Sequence, residues 1–269
     1  MIDSIIYSFD RSCQLHLLLE SIEKHADGVF NINVLYKSSN KEFDLGYEAL
    51  KKRFFKINFI NEVDFKKQTL EIINGFCNKY MCFFTDDDIL YNNIKEEDVN
   101  ECLHENEEIF CFSARLGKNT LNCYSLNVEN VLVPIKENEK FIWWNWAKHY
   151  ADFGYPLSVD CHIFRINEIK KLIKAIDFYN PNTLEANLQI FDNYPKEIMV
   201  SYKNSALVNS PSNIVQTTYK NRKGEKYSAT TKELNDKYLS GEIIDLESLD
   251  FSHIIGCHQE ILFVFKANN

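Results

Sequence analysis

Glycine is scarce in this chain: eight in 269 residues, and none before Gly28. A phosphate-cradling glycine loop after a first strand is therefore missing, and with it the feature a nucleotidyltransferase would usually show there. Positive charge is also short. Thirty Lys and Arg stand against 39 Asp and Glu, for a net charge of −9. Non-specific nucleic-acid binding needs basic surface to displace phosphate counterions, so no nucleic-acid partner is expected. Small anionic substrates stay open, because a local cation can overrule net charge. The eight cysteines never form a C-x-x-C pair, so no zinc site is signalled. Most lie in apolar segments and read as buried thiols of a reducing compartment. No apolar run approaches the ~20 residues of a membrane-spanning helix. The start, MIDSIIYSFDR, has neither the basic nor the long apolar region of a signal peptide. The expectation is a soluble chain, cytoplasmic or peripheral at the cytoplasmic membrane face.

What is present centres on Met81 to Tyr91, MCFFTDDDILY. Met81, Cys82, Phe83 and Phe84 read as a strand buried on both faces, the pattern of a parallel sheet. Asp86, Asp87 and Asp88 follow where that strand leaves the sheet. Three adjacent carboxylates repel one another, so something should neutralise them. A hard divalent cation, Mn²⁺ or Mg²⁺, prefers carboxylate oxygens and can bridge to substrate phosphates. Asp86 and Asp88 point the same way in extended chain, which suits shared coordination. The plain alternative is a solvated acidic turn. Strand C-terminal ends are where open α/β sheets bind ligands, which favours the metal.

Around this stretch the first part of the chain alternates. Strands are expected at Ile5–Tyr7, Ile32–Tyr36, around Ile57 and Phe59, and at Met81–Phe84. Helices are expected from Leu15 to Lys24, from Tyr47 to Phe54, and from Phe65 to Phe76. A cap for the first helix is expected at Asp10 or Ser12. The rhythm β-α-β-α-β-α-β argues for a mostly parallel twisted sheet with helices on both faces. After Tyr91 it changes. A strand is expected at Ile109–Phe112, an irregular aromatic region over 120–157, a helix through Ile169–Ile176, and another after Pro181. A late strand is expected at Ala206–Asn209. The polar stretch 210–232, with Lys220, Arg222, Lys223 and Lys226, reads as a long loop or lid. A helix from Lys232 to Leu239 should end at Gly241, and a last strand is expected at Ile261–Phe265. No linker marks the change of rhythm. The expectation is one domain: a nucleotide-binding half at 1–92, a smaller mixed acceptor-side half at 93–210, and a C-terminal loop, helix and strand at 211–269.

Four features taken together resemble the glycosyltransferases of the GT-A fold, specifically family-2-like enzymes. They are the polar loop Ser8–Arg11, the Asp86–Asp88 cluster, the stretch VDCHIFRINEIKKLI, and NPNTLEANL. The Asp triplet is the sharp motif; the others support it by order over residues 4 to about 192. The resemblance implies a DxD-type metal site holding a nucleotide-sugar diphosphate, a UDP-sugar being one candidate, and transfer of the sugar to a hydroxyl of a glycan, glycolipid or protein, with inversion. It implies that one acid of a Glu-Asp pair is the acceptor's base. Here the pair reads Leu184-Glu185-Ala186, so Glu185 stands alone, and a first-turn acid favoured by the helix dipole is the bland reading.

Within that resemblance Ser8, Asp10 and Arg11 are candidates for the nucleoside, and Asp86 and Asp87 for the donor. Arg115 and, more weakly, Lys66 are candidates for its diphosphate or sugar. Asp160 and His162 share a face if extended; Asp160 joins Glu185 as a catalytic candidate and His162 faces the donor. Asp86 and Asp88 are the metal candidates, completed by His253 or His258, as many enzymes of this fold use a histidine from the C-terminal part. Trp143, Trp144 and Trp146 offer either a sugar platform or core packing. The rivals are a nucleotidyltransferase acting on a sugar phosphate and a non-catalytic sugar-binding or scaffold protein of the same fold.

Overall fold

The computed structural model describes residues 1–268 apart from Glu105, Asp192, Lys220 and Asn221. Lys220 of the expected basic loop thus lies outside the described residues. The chain opens with β1 (Ile2–Phe9), α1 (Ser12–His25), β2 (Phe30–Lys37), α2 (Lys41–Arg53), β3 (Asn58–Asn61), α3 (Phe65–Gly75) and β4 (Tyr80–Thr85). It continues through β5 (Asp88–Leu90), α4 (Glu96–Leu103), β6 (Ile109–Ser113), β7 (Asn122–Cys123), β8 (Val128–Glu129), β9 (Lys136–Glu137), β10 (Phe141–Asn145) and β11 (His162–Arg165). Then follow α5 (Ile166–Lys174), α6 (Pro181–Leu188), β12 (Ile198–Tyr202), β13 (Leu207–Asn209), α7 (Thr231–Leu239), β14 (Glu242–Ile244) and β15 (Phe265–Ala267).

One nine-stranded sheet has the order β3-β2-β1-β4-β11-β6-β12-β10-β9. Strands β3, β2, β1 and β4 are parallel neighbours, and only β11 and β10 run against the rest. The expected α/β class, a mostly parallel sheet with helices, is the observed one, although the mixed part, β11 to β9 in the sheet order, is not smaller than the parallel part. Side chains sort by the period of two that a pleated strand imposes. Ile2, Ile6, Cys82 and Phe84 join one core with Leu15, Leu18 and Ile22 of α1. Ile5, Tyr7, Met81 and Phe83 join the other with Phe65 of α3 and Ile169 and Ile173 of α5. Helices therefore cover both faces. Truncating Phe83 or Phe84 would cost roughly 3–5 kcal/mol, because each is essentially fully buried.

Local caps fix where helices start. Asn40 accepts from the backbone N–H of Glu42 and Phe43, so α2 begins six residues before the expected Tyr47. Asn180 and Thr183 form a capping box that starts α6, with Pro181 in its first turn. The cap expected for α1 at Asp10 or Ser12 is absent: Arg11 holds that position without a side-chain cap bond. Asp10 instead adopts a left-handed backbone (φ 56°) and its carboxylate accepts from the N–H of Ser39, tying the exit of β1 to the exit of β2.

Other expectations shift. The strand placed at Ile261–Phe265 is only Phe265–Ala267, since Ile261 turns in toward Ser210 while Leu262 and Val264 are exposed. The stretch 120–157, expected to be irregular, contains β10, which places Trp143 and Trp144 on opposite faces. Strand β12 carried no expectation. Among the described residues no helix is long and apolar enough to cross a membrane.

Candidate active site

In the sheet order, β1 leads outward through β2 to β3, and the chain returns to place β4 on the other side of β1. That reversal makes a crevice at the C-terminal ends of β1 and β4, the switch point where open α/β sheets take ligands. A cleft of about 470 Å³ lies there. Ser8, Phe9 and Arg11 reach it from the end of β1, and Thr85, Asp86 and Asp87 from the end of β4. Asp86 and Asp87 form the two-residue turn between β4 and β5. Strand β5 pairs with β13 so that Asp88 stands opposite Asn209, and Asn209 bridges onward to His258. Two segments far apart in sequence are thereby brought to the triplet.

The three aspartates differ. Asp86 accepts from the Phe9 N–H (3.0 Å) and from Arg11 Nη1 (2.9 Å); the same Nη1 reaches Asp87 at 2.8 Å. Burial lifts Asp86 to about 6, against the opposing pull of Arg11. The buried Arg11 guanidinium also donates from Nε and Nη2 to the side chain and carbonyl of Asn213, both at 2.7 Å. The cation that neutralises Asp86 is therefore supplied by the chain itself. Asp88 is fully buried and, among the described residues, has only neutral donors: the Thr85 N–H (3.0 Å) and the amide of Asn209 (3.1 Å). Burial, then Asp160 and Asp87, push it well above the usual carboxylate range. The same Asn209 amide reaches Asp87 at 2.8 Å. Crowded oxygens with too little counter-charge are the donor set a hard divalent ion accepts. That fit is best at Asp88, since Asp86 and Asp87 share the one Arg11 guanidinium.

Across the cleft, Asp160 stands at the N-terminal end of β11. Cys161, next in the chain, has φ 45°, a strained left-handed conformation costing about 1–2 kcal/mol. The turn buries Cys161 and leaves Asp160 on the cleft lining. Asp160 accepts from Thr85 Oγ1 (3.1 Å) and Arg115 Nη1 (2.9 Å) and lies 3.3 Å from His258 Nε2. Burial would raise its pKa, but the His258 hydrogen bond and the Arg115 charge outweigh it and hold it well below the usual range. His258 moves the other way. Burial would lower it, yet the Cys257 sulfur and Asp160 hold it well above the ordinary histidine value. Glu185 lines the cleft half-buried and accepts from the Val159 N–H at 3.1 Å. Burial, then Asp160, raise its pKa.

Several sequence candidates lie elsewhere. Arg115 is 3% exposed and sits beneath the cleft, donating to Asp152 and Cys257 as well as to Ser158 and Asp160. It faces carboxylates rather than a donor. Asp152, Cys257 and His258 cluster closely enough to suggest a second metal site. The Arg115 guanidinium already bonds two of them, so positive charge is in place there. His162 is fully buried, with Nδ1 on the Pro156 carbonyl (2.9 Å) and Nε2 unpartnered among the described residues; burial, then Arg115, lower it to about 3. Lys66 pairs with Asp177 on the surface. Asp10 is spent on Ser39, and His253 is exposed outside the lining. Trp144 and Trp146 are structural, donating to the Phe153 and Lys196 carbonyls, while Trp143 is half-buried with the Lys136 ammonium over its ring. Asn209, Asn213 and Thr85 carried no expectation, although Asn209 shows in sequence as a polar end to an apolar strand.

No family model matches the chain. It is 28% identical over 253 residues to the bifunctional glycosyltransferase pgtA of Dictyostelium discoideum, covering 81% of this chain and 32% of that protein. The chain thus spans about a third of the length of that curated relative. Its fold is that of the crystal structure of S. aureus TarS, with a TM-score of 0.50 at 17% identity, over 79% of this chain and 37% of that one.

Proposed function

We propose that the chain is a metal-dependent glycosyltransferase that moves a sugar from a nucleotide-diphosphate donor to a hydroxyl acceptor. The observation that carries this reading is the acidic tip of β4, where Asp86 and Asp87 line the cleft on one shared Arg11 and Asp88 is buried behind them with its proton affinity raised, facing a second acidic set, Asp160 and Glu185, across one cleft. The similarity to a curated glycosyltransferase supports it. Asp87 and Asp88 would hold Mn²⁺ or Mg²⁺, which when bound offsets charge on a leaving diphosphate. Ser8 and Arg11 line the part of the cleft where the nucleoside would lie. Glu185, with its raised proton affinity, accepts the acceptor hydroxyl proton. The acceptor oxygen forms the new bond to the anomeric carbon as the bond to the diphosphate breaks, and the electron pair leaves with the diphosphate. His258 and Arg115 keep Asp160 ionised, which keeps Glu185 a stronger base. Attack from the face opposite the diphosphate would invert the centre. Residues 1–92 serve as the nucleotide half and 93–210 as the acceptor side of one unit, with 211–269 completing the cleft; the setting is the cytoplasm or the cytoplasmic membrane face.

The test is titration calorimetry with UDP-sugars, with and without Mn²⁺, on the wild type and on Asp88→Asn. Binding that needs Mn²⁺ and is lost in the variant supports the reading. Metal-independent binding unchanged in Asp88→Asn would overturn the metal role, and no nucleotide binding at all would overturn the function.

A further inference from the structure

The cleft lining is divided by charge. Arg11, Lys37, Glu62, Asp86, Asp87, Asp160 and His258 belong to strand ends and their flanking loops, and Arg222 to the later part of the 210–229 loop. The part formed by 179–185 and 214–218 carries, among the described residues, one charged side chain, Glu185. The rest of it is neutral amide, hydroxyl and apolar surface. Its two segments are tied together, since the Asn180 amide donates to Thr218 Oγ1 at 2.8 Å. Tyr179 lines this part yet is 69% exposed, whereas large aromatic rings are ordinarily well covered. Beside it stands Asn182, while the Gln216 amide holds its own loop through Thr218 and Tyr219.

We propose that this shelf is a subsite for an uncharged saccharide, the acceptor, bound with a sugar face on Tyr179 and a hydroxyl directed at Glu185. An aromatic face carries partial negative charge and attracts the polarised C–H groups of a pyranose ring. The Asn182 amide supplies the paired donor and acceptor that sugar hydroxyls need. A phosphorylated acceptor would require free cations, and those that line the cleft among the described residues are engaged. Arg11 holds Asp86 and Asp87, Lys37 pairs with Glu62, and Arg222 pairs with Glu225 while stacking on Tyr124. The inference rests on reading the cleft as a glycosyltransferase site.

Saturation-transfer NMR on the full chain with Mg²⁺ tests it. The probes are methyl β-glycosides of glucose, galactose and N-acetylglucosamine, and glycerol 3-phosphate. At least one neutral glycoside should receive saturation, and glycerol 3-phosphate should not. Tyr179→Ala should weaken the glycoside about fivefold, and Tyr179→Phe, which keeps the ring, should not. Because Tyr179 is largely exposed, the fold should survive either change. Glycerol 3-phosphate binding in preference to every glycoside, no glycoside binding at all, or equal binding by Tyr179→Ala would each overturn the subsite. UDP titrated into the same samples separates the two ideas. UDP bound without glycoside defeats the subsite alone, whereas glycoside bound through Tyr179 without UDP supports the subsite and defeats the reading of the cleft.

Discussion

At the residue scale the decisive side chain is Arg11. Its guanidinium, 8% exposed, holds two carboxylates and the 210–229 segment at once. Removing one partner of a buried ion pair leaves the other charge uncompensated, which costs more than the pair itself is worth. Arg11→Ala should therefore lower stability by about 3–5 kcal/mol in urea unfolding. Arg11→Lys should recover only part of that, because an ammonium cannot reproduce the planar fork. An unchanged midpoint for Arg11→Ala would mean that Asp86 and Asp87 are neutralised some other way. The sequence shows the three aspartates plainly, but gives no sign that an arginine 75 positions away reaches them.

At the scale of elements, α1, α2 and α7 pack through His16. Its ring lies against Phe54, just past α2, and against Tyr238 of α7, whose hydroxyl is 3.0 Å from Nδ1. Burial, then Arg53 and Lys266, lower its pKa to about 4. The folded state therefore disfavours the protonated ring. The stability His16 supports is present above the unfolded value of ~6.5 and is lost as pH falls from there toward about 4. Denaturation midpoints should drop across that window, and His16→Phe should flatten this part of the profile; an identical slope in the variant would rule His16 out as its source.

The 210–229 segment is a second element, and Glu260 anchors its later part. The Glu260 carboxylate accepts from the backbone N–H of Glu225, Lys226 and Tyr227 and from the Tyr124 hydroxyl. Glu260→Ala removes all of these at once. Trypsin should then cut at Lys223 or Lys226 several-fold faster, following the population of the open loop. The length and polarity of this loop are legible in the sequence; its anchor 33 to 35 residues downstream is not.

At the scale of the whole molecule, the proposed cation and nucleotide bind the folded state and should stabilise it by mass action. At about a hundredfold excess over Kd, Mn²⁺ with UDP should add roughly 2.7 kcal/mol, a rise in Tm of about 5–10 °C. Thermal shift assays should show that rise in the wild type and its loss in Asp88→Asn. Neither ligand alone should match the pair.

The sequence by itself determined the alternation of strands and helices, the buried fourth strand and the acidic tip that ends it. Those features are written in local periodicity, which depends only on neighbours along the chain. Tertiary structure alone decided what surrounds that tip. Arg11 supplies the cation for Asp86 and Asp87, Asn209 brings His258 to Asp160, Arg115 lies beneath the cleft, and Trp144 and Trp146 pack inside. Arg11 stands 75 positions from Asp86 and 202 from Asn213, which it also binds. Only the folded sheet, by reversing its strand order at β1 and β4, brings them within reach of one another.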